Sequence, residues 1–95
     1  MTERDLTIDD FAPHLRQPFE LDHEGARIAL TLEKVQELPK RMREAGSFRL
    51  QFRGPHEPIL DQSIYRLKRG DEAHDIFIVP IAQDSESTSY EAIFN

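Results

Sequence analysis

Alternation of apolar and polar side chains with a period of two residues is the feature that most constrains this chain. Phe48, Leu50 and Phe52 alternate with polar neighbours. Successive side chains of a β-strand point to opposite sides, so this pattern indicates a strand with one buried face. The same period recurs in segments around Phe19 and Leu21, Ile28 to Leu32, Tyr65 and Leu67, and Tyr90 to Phe94.

Turn signals at Gly and Pro separate these short segments. Short strands at regular spacing predict a mainly β fold, a single small antiparallel β-barrel or sandwich formed by a meander of about six strands. The chain has 95 residues and no cysteine, which predicts one domain over residues 1–95 that is stabilised by packing alone. Residues 17–95 are expected to form the β meander.

The region before the first strand is expected to be a short helix over residues 7–15, preceded by a flexible segment at 1–6. Thr7 is a candidate N-cap followed by acidic residues in the first turn, and Pro13 is expected to end the helix. A helix this short is unstable alone, so its apolar side chains should close one end of the sheet. These side chains are Ile8, Phe11 and Leu15.

Two positions interrupt the alternation. Val35 falls on the opposite parity from Leu32, which predicts a β-bulge near Glu33-Lys34. Pro80 lies inside an apolar strand, and because proline has no N–H to donate, it must occupy a bulge or an unpaired edge position.

Charge and composition exclude several classes of protein. The formal net charge is −6, which argues against nucleic-acid binding because that affinity comes from basic residues that neutralise phosphates. The sequence contains neither the basic and apolar regions of a signal peptide nor an apolar run of membrane-spanning length. We therefore expect a cytoplasmic protein without membrane contact.

The search for catalytic and metal-binding patterns is negative. The four histidines, at positions 14, 23, 56 and 74, lack the spacing that puts two imidazoles on one face of a helix or strand. The sequence has no Gly-x-Ser-x-Gly motif and no glycine-rich phosphate loop. We therefore expect no cofactor, no metal and no catalytic residue.

Basic residues cluster within this acidic chain. If the strand at Phe48–Arg53 lies beside the strand at Ile64–Lys68, the outward positions of both strands are basic. Like charges this close repel each other, so an anionic partner would stabilise them. The alternative is a solvated face balanced by acidic residues elsewhere. The candidate face for an anionic partner consists of Arg41, Arg43, Arg49, Arg53, Arg66 and Lys68.

The segment from Ile76 to Ile81 is apolar on both parities. Only one parity can face the core, so the other needs cover from the N-terminal helix, from a second sheet or from another subunit. Cover by another copy would make the protein a homo-oligomer. The candidate apolar interface consists of Ile76, Phe77, Ile78 and Val79.

Several blocks resemble a family of small bacterial domains of unknown function. They are Asp10-Phe-Ala-Pro-His14, Phe52-Arg-Gly-Pro55, Gln62 with Tyr65, Phe77-Ile-Val-Pro80 and the terminal Tyr90-Glu-Ala-Ile-Phe-Asn95. The terminal block, Tyr-Glu-Ala-Val/Ile-Phe-Asn, is the most specific. Members are often encoded near phage-tail collar or tail-fibre-like proteins, so the resemblance implies an assembly or accessory role and supplies no catalytic residues.

The expected function is a non-catalytic protein-binding or assembly module associated with a phage-tail-like protein. The same binding function would also be served by a homo-oligomer, in which the partner is another copy of the chain. The alternative is a small-ligand or carbohydrate-binding β-barrel, or a minor enzyme with a site near the Gly54-Pro55 loop. A deep pocket lined by His56, Asp61 and Tyr65 would favour that alternative.

Overall fold

The computed structural model describes residues 6–39 and 46–94, and these residues form a closed β-barrel. Two short 3₁₀ turns, Ile8–Asp10 and Ala12–His14, precede the strands. The strands of the barrel are β1 Pro18–His23, β2 Ala26–Glu37, β3 Phe48–Pro55, β4 Ser63–Arg69, β5 Glu72–Gln83 and β6 Ser87–Phe94.

The strand order around the barrel is β1-β2-β3-β6-β5-β4, with all neighbours antiparallel. The pair Glu20↔Lys68 between β1 and β4 closes the circle. The prediction of a mainly β antiparallel fold, a barrel or a sandwich, is confirmed in the form of a closed barrel, but the order is not a simple meander. The strand after β3 in the chain, β4, lies on the far side of the barrel, and β6 takes the place beside β3.

The predicted alternation determines which side chains fill the barrel. In β3, Phe48, Leu50 and Phe52 are buried while Arg53 is exposed, and the other strands follow the same rule. Burial of these apolar side chains is the main source of stability in a domain without disulfides. The buried apolar side chains from the strands are Phe19, Leu21, Ile28, Leu30, Leu32, Phe48, Leu50, Phe52, Leu67, Ile76, Ile78, Tyr90 and Ala92.

Both predicted interruptions are β-bulges or local irregularities. The register between β2 and β3 shifts between Leu32 and Lys34, and the register between β5 and β6 shifts between Pro80 and Ala82. β2 uses its first half to pair with β1 and its second half to pair with β3. A bulge increases the local bend and twist of a strand, which allows one long strand to follow the curvature of the barrel.

The N-terminal segment closes one end of the barrel, and the predicted short helix is present there as two consecutive 3₁₀ turns. Pro13 does not end the helical segment, because it lies in the first turn of the second 3₁₀ element, where a missing N–H is tolerated. Phe11 is buried and its ring lies 5.9 Å from the rings of Phe48 and Phe94. Of the other two predicted plug residues, Ile8 packs against the core and Leu15 is exposed.

The opposite end is closed by the loop between β3 and β4. Leu60, in the middle of this loop, is fully buried and belongs to the core. The barrel is therefore filled from end to end by Phe11, the strand side chains and Leu60.

Candidate functional site

The predicted basic face does not exist as one surface, because its two strands are not neighbours. β3 lies between β2 and β6, while β4 lies between β1 and β5. Arg49 and Arg53 therefore lie across the barrel from Arg66 and Lys68. Of the remaining predicted members, Arg41 and Arg43 lie outside the described residues.

Basic side chains from both strands are paired with carboxylates of this chain. Arg66 contacts Asp75 at 3.1 Å, and Lys68 contacts Asp22 at 2.9 Å. The hydrogen bond that Lys68 donates, and then its charge, lower the pKa of Asp22. Both pairs are exposed, so water screens them and each contributes little to stability.

The pair formed by Arg49 and Glu91 is better shielded. Arg49 Nε donates to Glu91 Oε2 across β3 and β6, and each side chain is only 23% exposed. On the same strand, Arg53 is exposed. The pKa of Asp84 is lowered mainly by hydrogen bonds from the backbone N–H groups of Glu86 and Ser87, and the positive charge of Arg53 lowers it slightly further. An anionic partner would have to compete with these internal carboxylates.

The predicted apolar interface on β5 divides into two halves. Ile76 and Ile78 point into the barrel and are buried, so they cannot contact a partner; for these two residues the prediction is wrong. Phe77 points outward and is 52% exposed, and Val79 is partly exposed on the same side. The closed barrel explains this arrangement, because alternate side chains of every strand point away from its interior.

Three exposed apolar side chains lie on the outer faces of three neighbouring strands, β4, β5 and β6. Ile64 is the direct cross-strand neighbour of Phe77. β5 and β6 pair from Val79↔Glu91 to Gln83↔Thr88, and Phe77 and Ile93 lie two residues beyond the Val79↔Glu91 pair on the same outward parity. Ile64 is 65% exposed and Ile93 is 49% exposed. We call Ile64, Phe77 and Ile93 the apolar row.

Charged pairs border the apolar row on two sides. Arg66 and Asp75 lie two residues further along the strands of Ile64 and Phe77 and pair with each other. On the other side, Arg49 is the cross-strand neighbour of Ile93 and pairs with Glu91. The apolar row thus spans three neighbouring strands, whose outer two are about 9–10 Å apart, and it lies between charges that compensate each other.

The sequence contained a signal for the two missed members of the row. Ile93 lies between Ala92 and Phe94, which face the core, and Ile64 precedes Tyr65, which packs against the core. A large apolar residue on the outward parity has no role in the core. Each residue is isolated within its own strand, so only the strand order reveals that they belong to one side of the barrel.

The alternative site near the Gly54-Pro55 loop shows polar contacts that belong to the fold. The Tyr65 hydroxyl donates to the carbonyl oxygen of Asp61 at 2.7 Å, and burial, before the charge of Asp61, raises the pKa of this hydroxyl. His56 Nδ1 lies 2.9 Å from the carbonyl oxygen of Asp84. The side chains of His56 and Asp61 are exposed, and Leu60 fills the barrel end that a deep pocket would need.

The histidines do not come together as a metal site. Among residues 6–39 and 46–94, no group of three potential ligands from His, Cys, Asp and Glu could hold a metal ion. A crevice of about 10 Å³ is lined by His14, His74, Asp10 and Glu72, together with Phe19 and Arg69. This volume is about that of one water molecule probe, which is too small for a ligand.

A family model for a domain of unknown function, DUF6916, matches residues 6–94. The chain belongs to this family. The match includes all six strands and both 3₁₀ turns, so the family domain and the barrel coincide. Comparisons with curated proteins and with solved structures gave no match. In the described part of this family member, no helix has the length and apolar character needed to cross a membrane.

Proposed function

We propose that this member of the family is a non-catalytic protein-binding module that joins a larger assembly through the apolar row. The observation that carries the proposal is the exposure of Ile64, Phe77 and Ile93 on three adjacent strands. At about 200 Å² for a fully exposed large side chain, their exposed fractions correspond to roughly 330 Å². Patches of about 300–600 Å² are the largest on typical monomers and are often functional.

The filled interior supports a binding role over a catalytic one. Among the described residues, the buried polar side-chain groups are the hydroxyls of Ser47, Ser87, Thr88 and Tyr90. Acid–base catalysis uses carboxylates or imidazoles whose pKa values are shifted by a cleft. Phe11 and Leu60 occupy the two ends where a barrel would open to a ligand. The side chains available for binding are therefore those on the outer surface of the barrel.

The class of partner is suggested by the family resemblance of the terminal block, Tyr90-Glu-Ala-Ile-Phe-Asn95. That resemblance implies a place among genes for phage-tail collar or tail-fibre-like proteins. We propose that the module is an accessory component of a phage-tail-like assembly and that it acts in the cytoplasm. Stable attachment to a larger protein through an apolar face fits such a role, because burial of apolar surface holds two proteins together without any catalytic reaction.

Co-expression with the products of the neighbouring genes tests the proposal. We expect the tagged chain to retain a collar or fibre-like protein through purification, and Phe77→Ser to lose that protein. Ile59→Ser is the matched control, because Ile59 is 50% exposed but lies in the β3–β4 loop, outside the row. Equal retention by wild type and by Phe77→Ser would contradict a role for the row, and no retained protein would contradict the accessory role.

A further inference from the structure

We infer that the barrel opens along the contact between β1 and β4, which we call the seam. Opening separates these two strands while each keeps its other neighbour, β2 or β5. The barrel then exists in a sealed form, described above, and in a less populated open form. The inference is independent of the apolar row and of any partner, because it assigns a conformational change to the barrel itself.

Backbone pairing is sparsest at the seam. Within the described residues, β1 and β4 share one registered pair, Glu20↔Lys68. Every other pair of neighbouring strands shares between four and eight registered pairs. Opening at the seam therefore breaks one pair of the ladder, whereas opening between any other two strands breaks at least four.

Both strands of the seam belong to hairpins that stay intact in the open form. β1 pairs with β2 through six residue pairs across the turn Glu24-Gly25. β4 pairs with β5 through seven residue pairs across the turn Gly70-Asp71. Because each hairpin keeps its own ladder, opening moves two folded units apart and unfolds neither of them.

Polar side chains connect the two strands on the outer side of the seam. Lys68 Nζ donates to Asp22 Oδ2 at 2.9 Å, and the two side chains are 47% and 61% exposed. Arg69 Nε donates to Gln17 Oε1 at 2.8 Å, from the last residue of β4 to the residue before β1. An exposed ion pair such as that of Lys68 and Asp22 contributes little to stability, because water screens it. The outer contacts therefore replace only a small part of the missing ladder.

Apolar side chains seal the inner side of the seam. Phe19 and Leu21 of β1 and Leu67 of β4 are buried in the same core. Separation of the two strands brings these side chains into contact with water, which is unfavourable. The sealed form therefore predominates, and the open form is reached by a local opening whose free energy is below that of global unfolding.

The open form differs from the sealed form in its strand edges. A closed barrel has no free edge. When the seam opens, the edges of β1 and β4 carry backbone N–H and C=O groups without a partner strand, and such an edge is a surface to which another extended strand can add. Opening thus converts a barrel without free edges into one with two.

Thiol labelling tests the inference, since the chain has no cysteine and an introduced thiol is unique. Leu67→Cys places a thiol in the core beside the seam, and Leu50→Cys places one in the core on β3, away from the seam; both leucines are fully buried. We expect iodoacetamide to react at least about tenfold faster with Leu67→Cys than with Leu50→Cys. Equal rates overturn the inference, because global unfolding exposes both positions together.

The labelling rate of Leu67→Cys must also exceed the rate that global unfolding of the same variant allows. Urea denaturation of each variant gives its free energy of unfolding and hence that limiting rate. Circular dichroism confirms that each variant is folded, and Leu21→Cys replaces Leu67→Cys if the latter is unfolded. A seam thiol that reacts no faster than global unfolding permits overturns the inference.

Two ion-pair variants in the Leu67→Cys background locate the opening. Lys68→Met removes the contact with Asp22 across the seam and should raise the labelling rate about two- to fivefold. Arg66→Met is the matched control, because its similarly exposed pair with Asp75 lies within the β4–β5 hairpin, and it should leave the rate unchanged. An increase for Lys68→Met that is no larger than that for Arg66→Met overturns the inference.

A disulfide across the seam should lock the sealed form. Directly opposed residues of an antiparallel pair have Cα atoms about 4.5–5.5 Å apart, a separation that a disulfide can span. Oxidation of the Glu20→Cys/Lys68→Cys variant should slow amide hydrogen exchange in β1 and β4 at least about tenfold relative to its reduced form. The control is Gln51→Cys/Glu91→Cys, a pair opposed across β3 and β6. No slowing by the seam disulfide, or equal slowing of β1 and β4 by both disulfides, overturns the inference.

Discussion

The hydroxyl of Tyr90 accepts a hydrogen bond from the backbone N–H of Leu60 at 2.9 Å, and both groups are buried. This bond joins β6 to the loop that closes one end of the barrel. It satisfies an N–H that would otherwise be buried without a partner, because Leu60 is fully enclosed. The loop is therefore fixed to the core by one polar contact as well as by its apolar side chain.

Tyr90→Phe should lower the free energy of unfolding by about 1–3 kcal/mol, because it leaves the Leu60 N–H buried and unpaired. The matched variant is Tyr65→Phe, which removes a hydroxyl that donates to the carbonyl of Asp61 in an exposed region. Its expected loss is below about 1 kcal/mol, since water can replace the lost partner. Urea denaturation measures both, and equal losses would contradict this account of Leu60.

The alternation of apolar residues was sufficient to predict the strands, the inward faces of all of them except β5, and the bulge near Glu33-Lys34. Each of these features depends on the local sequence, because the period of the side chains and the β-preference of a segment are local properties. The buried positions in β3, Phe48, Leu50 and Phe52, follow directly from this rule. The predicted short helix takes the form of two 3₁₀ turns, with Pro13 in the first turn of the second one, where a missing N–H is tolerated.

The position of β6 beside β3 could not be predicted, since it depends on which distant strands pair. The predicted basic face failed for this reason: Arg53 and Arg66 belong to strands on opposite sides of the barrel. The apolar row was not predicted either, because its members lie on strands whose adjacency the sequence does not reveal. Ile64 and Ile93 are 29 residues apart in the numbering and become members of one surface only in the closed barrel.

Gly54 occupies a buried position where no side chain fits. A Cβ added there would lie 2.6 Å from Leu30 Cδ2 and 3.2 Å from Tyr90 Cε2, both in the packed core. Gly54→Ala should therefore destabilise the fold by about 1–3 kcal/mol through overpacking. Gly70→Asn is the control, because Gly70 has φ +60° with nothing near its Cβ position, and asparagine tolerates this conformation. Thermal unfolding of both variants checks the prediction, and a Gly54→Ala variant as stable as wild type contradicts it.

The two arginine pairs beside the apolar row should differ in their contribution to stability. Glu91→Gln removes the charge from a pair whose side chains are 23% exposed, and we expect a loss of about 1–2 kcal/mol. Asp75→Asn removes the charge from a pair that is more than half exposed, with an expected loss of about 0–1 kcal/mol. Guanidinium chloride would screen both pairs, so urea denaturation at low salt is the appropriate measurement. A larger loss of unfolding free energy for Asp75→Asn than for Glu91→Gln would show that the exposure of an ion pair does not determine its contribution to stability.

Acid should destabilise the barrel through Asp22 and Asp84. Hydrogen bonds lower the pKa of both carboxyls below the ordinary value of 3.8, so the unfolded chain binds protons at a higher pH than the folded one. The stabilisation is present above about pH 3.8 and is lost as the pH falls through the folded-state pKa values. Asp84→Asn keeps a side-chain oxygen that can accept hydrogen bonds from the backbone N–H groups of Glu86 and Ser87, but the amide side chain does not titrate.

Urea denaturation between about pH 2 and pH 5 measures this effect. Asp84→Asn should show a smaller loss of stability on acidification than wild type, because one of the two groups no longer binds a proton on unfolding. Lys68→Met should also reduce the loss, since it removes the hydrogen bond and the charge that lower the pKa of Asp22. An unchanged pH dependence in both variants would contradict the assignment.

The position of β6 between β3 and β5 has a consequence for biosynthesis. The ribosome synthesises β1 to β5 before β6. Until β6 is available, the edges of β3 and β5 that pair with it are uncovered, and the side chains of Leu50, Phe52 and Ile78 are partly exposed. Closure then requires residues of β6 to pair with β3, about 40 residues earlier in the chain, which is a slow, non-local step. Chaperone demand and yield on overexpression should therefore depend on how soon this strand leaves the exit tunnel.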